Sequence, residues 1–192
     1  MWRMPHDRSL DFGRLVANLG ATMLRLLLVL LLFVLGSLAP ARAQQWVEHR
    51  PPGAGYRVEF PAAPKVSKED IANPAGKVVM TFAEYEKSGG FALVAMHTVY
   101  PSSPPDPQIF LDAARDSAVR HANAKLREEK KLTVGGKPAR RLVVEMPDTL
   151  VGVALVVLDG NHIYNTMAVV PPGEVNSADV ERFLKSFALV PR

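Results

Sequence analysis

The stretch from Leu150 to Val170, LVGVALVVLDGNHIYNTMAVV, constrains this chain more than any other. Two apolar runs of eight residues, Val151 to Leu158 and Ile163 to Val170, flank Asp159-Gly160-Asn161, residues that tolerate the positive φ of a tight turn. Both runs are rich in β-branched and aromatic residues, so the stretch predicts a β-hairpin. The first arm is apolar on both faces. Such a strand belongs inside a sheet covered on both sides, and the rest of the chain has to supply the covering layers.

The N-terminal region bears on compartment. Arg3, Arg8, Arg14 and Arg25 precede an uninterrupted apolar run, Leu26 to Leu35, which is followed by Gly36-Ser37 and then Ala41-Arg42-Ala43. A run of about ten residues falls short of the roughly 18 to 20 that a spanning helix needs, and the small-x-small triplet sits where a signal peptidase cuts. Residues 1–43 therefore read as a secretory signal peptide cleaved between Ala43 and Gln44. The alternative is an uncleaved anchor, because Leu15 to Met23 is also mostly apolar and only Arg25 interrupts a longer segment. The expected location is the periplasm or the extracellular space, with membrane contact only through the leader if it is retained.

Residues 44–192 are enough for one domain with a single core. The whole chain carries a net charge of +4, but the leader holds five Arg against two Asp; the remainder has 18 Lys plus Arg against 17 Asp plus Glu, a net +1. The basic balance belongs to the leader, and nothing in the charge favours a nucleic-acid partner. There is no cysteine, which excludes disulfides, thiolate metal sites, a Cys nucleophile and the lipid-modified Cys of a bacterial lipoprotein.

Taken in order, Gln45 to His49 alternates as a short first strand, and Tyr56 to Phe60 as a half-buried one, stopped by Pro61 and Pro64. Lys65 to Gly76 is polar and reads as a loop or irregular edge. Lys77 to Glu86 and Phe91 to Tyr100 form a second hairpin around Lys87-Ser88-Gly89-Gly90, the second arm being the more central. Pro101 to Pro105 is a stiff connector, which costs less entropy to order against a partner than a flexible loop. Asp106-Pro107 then starts a helix running to about Ala124, with Phe110, Ala113, Ala114, Ser117 and Ala118 as its apolar stripe. Arg127 to Lys131 reads as a solvated charged face, and Leu132 to Val134 and Arg141 to Met146 as strands. After the central hairpin, Asn176 or Ser177 caps a last helix whose Val180, Phe183, Leu184 and Phe187 fall on one face.

This order predicts an α+β fold, a single antiparallel β-sheet with flanking helices. Two short patterns, Tyr56-Arg57-Val58-Glu59-Phe60-Pro61-Ala62-Ala63-Pro64 and Phe183-Leu184-Lys185-Ser186-Phe187, resemble the Mog1/PsbP-like α/β/α sandwich family. The resemblance implies accessory proteins that bind other proteins. It assigns no binding residue, since neither pattern is a functional site.

The chemistry is sparse. His49, His97, His121 and His162 include no pair at metal-site spacing, and no nucleophile, phosphate or dinucleotide motif is present. No cofactor or metal is expected. His97, in an otherwise apolar strand, is the single catalytic candidate, with Glu84 or Glu86 of the neighbouring strand as its carboxylate partner. Asp159 and His162 flank the hairpin turn as a candidate cation site, although the turn accounts for the Asp already. Three function classes follow: an exported accessory module binding another envelope protein, a carrier of a small apolar ligand between sheet and helix, and an enzyme using His97. The first is preferred from the sequence.

Overall fold

The structure is a computed structural model and describes residues 45–73 and 76–192. The leader and the cleavage position between Ala43 and Gln44 lie outside the described residues. The described chain runs β1 (Val47–His49), β2 (Tyr56–Phe60), β3 (Lys65–Asn73), β4 (Gly76–Lys87), β5 (Phe91–Val99), α1 (Pro107–His121), β6 (Lys125–Val134), β7 (Lys137–Glu145), β8 (Val151–Asp159), β9 (His162–Val170), α2 (Ala178–Ser186) and β10 (Ala188–Leu189).

The predicted hairpin is β8 and β9, closed where Asp159 pairs with His162 and Gly160 takes a φ of 64° that L side chains rarely adopt. It sits centrally in a seven-stranded sheet of order β3-β4-β5-β9-β8-β7-β6, every neighbouring pair antiparallel. The connection through α1 carries the chain from one side of β9 to the far edge.

The expectation of a single sheet is corrected: β1, β2 and β10 form a second, three-stranded sheet. β2 turns Tyr56, Val58 and Phe60 inward, all at most 1% exposed, and hydrogen-bonds to β1 and to the tail rather than extending the large sheet. Two polar segments, read from the sequence as a loop or irregular edge and as a solvated charged face, are strands. Lys65 to Asn73 is β3 and Arg127 to Lys131 lies within β6, the two edges of the sheet. An edge strand needs only one neighbour and is protected from stray pairing by charge, so its composition hides it.

Both helices start where a side chain caps them. Asp106 accepts from the backbone N–H groups of Gln108 and Ile109 at 2.7 and 3.1 Å, with Pro107 in the first turn; Ser177 accepts from Val180 at 3.4 Å. α2 and the small sheet cover one face of the large sheet, and α1 covers the other. Under α2, Val180 and Phe183 are fully buried and Phe60 meets Phe183 at 5.1 Å between ring centroids. The Glu59 N–H donates to Ser186 Oγ at 2.8 Å, and β10 pairs with β2. The two sequence patterns that carry the family resemblance are thus packed on each other.

Candidate functional site

The face under α1 is built from small residues. Leu111 is the buried anchor of the helix; Phe110 is half-buried, and Ala113 and Ala118, expected in the buried stripe, are exposed. The helix meets the sheet through Leu111, which packs with Leu158 and Ile163 beside a Tyr100–Phe110 edge contact at 5.3 Å. Beyond that anchor, alanines roof a half-open groove of about 440 Å³, whose wall includes Ala114, Ala118 and Ala122. Alanine side chains are too short to fill the space above the sheet.

The opposite wall comes from the sheet. Of the seven methionines in the chain, three precede residue 44, and the other four, Met80, Met96, Met146 and Met167, all line this groove. Each is half-buried. Methionine is unbranched and polarizable, and recurs at surfaces that accept varied apolar partners. Gly152 sets one side of the wall: a Cβ there would stand 2.7 Å from Val144 Cγ2 and 3.3 Å from Met146 Sδ, so only glycine lets these side chains lie across β8.

Polar groups are few. Asn165, in β9 between Met96 of β5 and Val156 of β8, lines the groove, and its Oδ1 is buried with no hydrogen-bond partner. Arg115 is the one charged residue of the lining. It is bound to Asp116 at 2.8 Å, Glu129 at 2.6 Å and Asp112 at 3.5 Å. These hydrogen bonds, to Asp116 and Glu129 first, raise its pKa further above the ordinary guanidinium value. Behind it Arg140, 1% exposed, reaches Gln108 at 2.6 Å and Asp112 at 3.1 Å. Its Nε lies 2.9 Å from Glu129 Oε1, an ion pair whose angle falls outside hydrogen-bond geometry. The charged run around Glu129 is therefore partly an internal ion network pinning α1 to β6 and β7.

His97 lies on the other face. β5 register sets it opposite Thr81 of β4, with Glu84 opposite Val94 and Glu86 opposite Ala92, so both carboxylates point to the α1 side and neither is its partner. The partner is His162, with His97 Nε2 and His162 Nδ1 at 2.8 Å, a bond between residues 65 positions apart. His97 also stacks on Tyr164 at 4.9 Å and 9°. Burial, then His162 and Arg192, push it down to about 4, so it is neutral at pH 7. Burial, then Tyr164, pushes neighbouring Tyr56 up to about 12. Both line a smaller cavity of about 240 Å³ with Lys68 and Thr81, and no carboxylate lines it. The Asp159 and His162 cation site is not formed either: Asp159 is held by Lys137 at 2.8 Å and Arg192 at 2.5 Å. Among the described residues, no three His, Asp or Glu are grouped to hold a metal, and no helix is long and apolar enough to cross a membrane.

Sequence reading kept a ligand space between sheet and helix as an alternative but did not locate it, because register alone brings the methionines together. One signal was available: Asn165 is a polar residue facing the same side as Ile163, Met167 and Val169 in an otherwise apolar run.

The architecture has a solved counterpart. The solution structure of cyanobacterial PsbP from Synechocystis superposes with a TM-score of 0.53 at 11% identity, covering 79% of this chain and 96% of that one. The fold is PsbP-like. A crystal structure of a Pseudomonas aeruginosa protein of unknown function is more distant, with a TM-score of 0.40 at 13% identity over 77% of this chain and 98% of that one. No family model and no curated protein matches the chain.

Proposed function

We propose that this chain is an exported binding module that carries a small apolar molecule in the groove beneath α1. The observation that carries this reading is the half-open space of about 440 Å³ walled by alanines on one side and four methionines on the other. Ligand pockets are typically about 300 to 1,000 Å³, mostly apolar, with a few placed polar groups. Export is supported by the leader pattern of residues 1–43, which puts the carrier in the periplasm or outside the cell. The enzyme reading loses its support, since the carboxylate it needed beside His97 lies on the opposite face.

The test is native mass spectrometry of the protein purified from its own envelope, beside the Ala118→Trp variant. Ala118 is exposed at the groove, so an indole there blocks the space without disturbing buried packing. A co-purified small molecule present in the wild type and absent from the variant supports the carrier. Equal loading of both proteins, or none with any apolar probe, contradicts it.

A protein partner in the envelope is a second reading, favoured by one observation. β3 is a nine-residue edge strand, paired on one side only and exposing Val66 and Ile71. Strand addition to such an edge is a common way to dock an extended peptide. In-cell crosslinking from β3 positions, with recovery of one specific envelope protein, supports it; absence of any specific product removes it.

A further inference from the structure

The small cavity beside His97 lies at the β3 margin of the sheet, where the segment from Pro51 to Ala54 forms the roof and no residue of α2 takes part. The roof is fixed. The Ala54 N–H donates to the Pro51 carbonyl at 3.2 Å, the Ala54 carbonyl accepts from the Tyr164 hydroxyl at 2.9 Å, and Pro51 and Pro52 hold their own φ. The floor comes from three neighbouring strands. Register sets Lys68 of β3 opposite Thr81 of β4, and Thr81 opposite His97 of β5. Paired residues point to the same face of strands about 4.8 Å apart, so an ammonium, a hydroxyl and an imidazole stand in one row. Val79 and Val99, paired one step along that face, make the adjoining lining apolar together with the two prolines.

Each polar group of the row has bonding capacity to spare. His97 Nε2 is taken by His162, while its Nδ1 is unpartnered yet open to solvent, and so is Thr81 Oγ1. Lys68 makes no ion pair among the described residues. The nearby Asp70 is held by Lys77 at 2.7 Å, and Lys68 acts on it more weakly than Lys77 does. On the far side of the two rings Asp159 is held by Lys137 and Arg192. No carboxylate, the C-terminal one of Arg192 included, lines the cavity. The Tyr56 hydroxyl is closed to solvent and takes no part.

We infer that this cavity is a second binding site, taking a small monocarboxylate whose charged end meets Lys68, Thr81 and His97 Nδ1 and whose short apolar body lies against Val79, Val99 and the two prolines. The site is independent of the groove beneath α1. Its volume of about 240 Å³ lies below the roughly 300 to 1,000 Å³ of ordinary ligand pockets, which limits the body to a few carbons. A carboxylate accepts at both oxygens and so suits three convergent donors. For a neutral His97 to donate from Nδ1 its Nε2 has to accept, so His162 Nδ1 carries the proton of the 2.8 Å bond. Binding therefore selects one tautomer of the histidine pair.

The test titrates n-butyrate, its neutral isostere n-butyramide and inorganic phosphate, at constant ionic strength and neutral pH, into the ¹⁵N-histidine-labelled chain lacking its leader. Butyrate should bind about tenfold more tightly than either of the others, the scale of one charge-assisted hydrogen bond. It should also move the His97 ring nitrogens to the Nδ1–H pattern, and raise the His97 titration midpoint from about 4, since an anion favours the charged ring. Lys68→Met, at an exposed position, should weaken butyrate about tenfold and leave butyramide unchanged. Thr81→Val should weaken butyrate several-fold. Equal binding of butyrate and butyramide overturns the anion site, and this comparison needs no variant to fold. Phosphate binding as tightly as butyrate overturns the apolar body. Butyrate binding that leaves the His97 nitrogens in place or is indifferent to Lys68→Met, or no saturable binding at all, overturns the proposal outright and leaves the carrier reading of the α1 groove standing.

Discussion

Beneath α2, Phe60 and Phe183 meet at 5.1 Å, Tyr56 stacks on Phe187 at 6.0 Å, and the Tyr164 hydroxyl donates to the Ala54 carbonyl at 2.9 Å. Beneath α1, on the other side of the same strands, alanines face methionines across an open groove and Asn165 Oδ1 has no partner. The contrast comes from side-chain size. Large rings on β2 and α2 close one face and supply most of the stabilising burial, whereas a helix anchored by Leu111 and an ion network cannot close the other. One face holds the fold together; the second is held in place without being filled.

The comparison breaks first if the sealed face proves dispensable. Phe183 is 0% exposed, and Phe183→Ala should cost about 3 to 5 kcal/mol, read as a lower denaturant midpoint, with Phe187→Ala next. Either variant melting like the wild type would mean that α2 does not carry the core.

The second prediction concerns acid. His97 is held near 4 in the folded chain against 6.5 for a free histidine. The unfolded chain therefore binds more protons between these values, and stability rises with pH across them. It should be intact above about pH 6.5 and fall by up to about 3 kcal/mol as pH drops toward 4, with His162 shifted down in the same direction by burial first. Protonating both rings would also set two N–H groups against each other at their 2.8 Å bond. His97→Phe should flatten that part of the pH profile, and a profile as steep as the wild type's would place the titrating group elsewhere.

Smaller effects sharpen the open face. Gly152→Ala must displace Val144 or Met146 and should cost about 1 to 3 kcal/mol while changing the affinity for groove probes. Ala118→Trp, at an exposed helix position, should cost less than about 1 kcal/mol, an amount set by helix propensity, yet remove binding. Binding lost together with several kcal/mol of stability would mean that the groove is core rather than site.

Periodicity made the sealed face legible. Tyr56, Val58 and Phe60 alternate, and Val180, Phe183, Leu184 and Phe187 repeat at helical spacing, because each element there buries a full apolar side. The hairpin around Gly160 was legible for the same reason, its turn residues being fixed by backbone geometry. β3 was not, since edge strands carry charge where inner strands carry valine. The second sheet was not either: three residues of β1 and two of β10 give too short a pattern to reveal pairing. The groove depends on register across five strands, and the bond between His97 and His162 spans 65 positions. A local window sees neither. Arg140, one residue ahead of the strand read from Arg141 to Met146, shows how a buried charge escapes composition: its partners Asp112 and Glu129 come from different elements.

The central claim is that the α1 face is an open ligand site and the α2 face a closed core. With the leader removed, the chain has four methionines, all at the groove, so its ¹³C-methyl methionine spectrum reports on that face alone. Titration with N-phenyl-1-naphthylamine should move the signals of Met80, Met96, Met146 and Met167, while aromatic resonances of Phe60 and Phe183 under α2 stay in place. Unmoved methionine signals at saturating probe, or larger shifts at Phe60 and Phe183, would contradict the account.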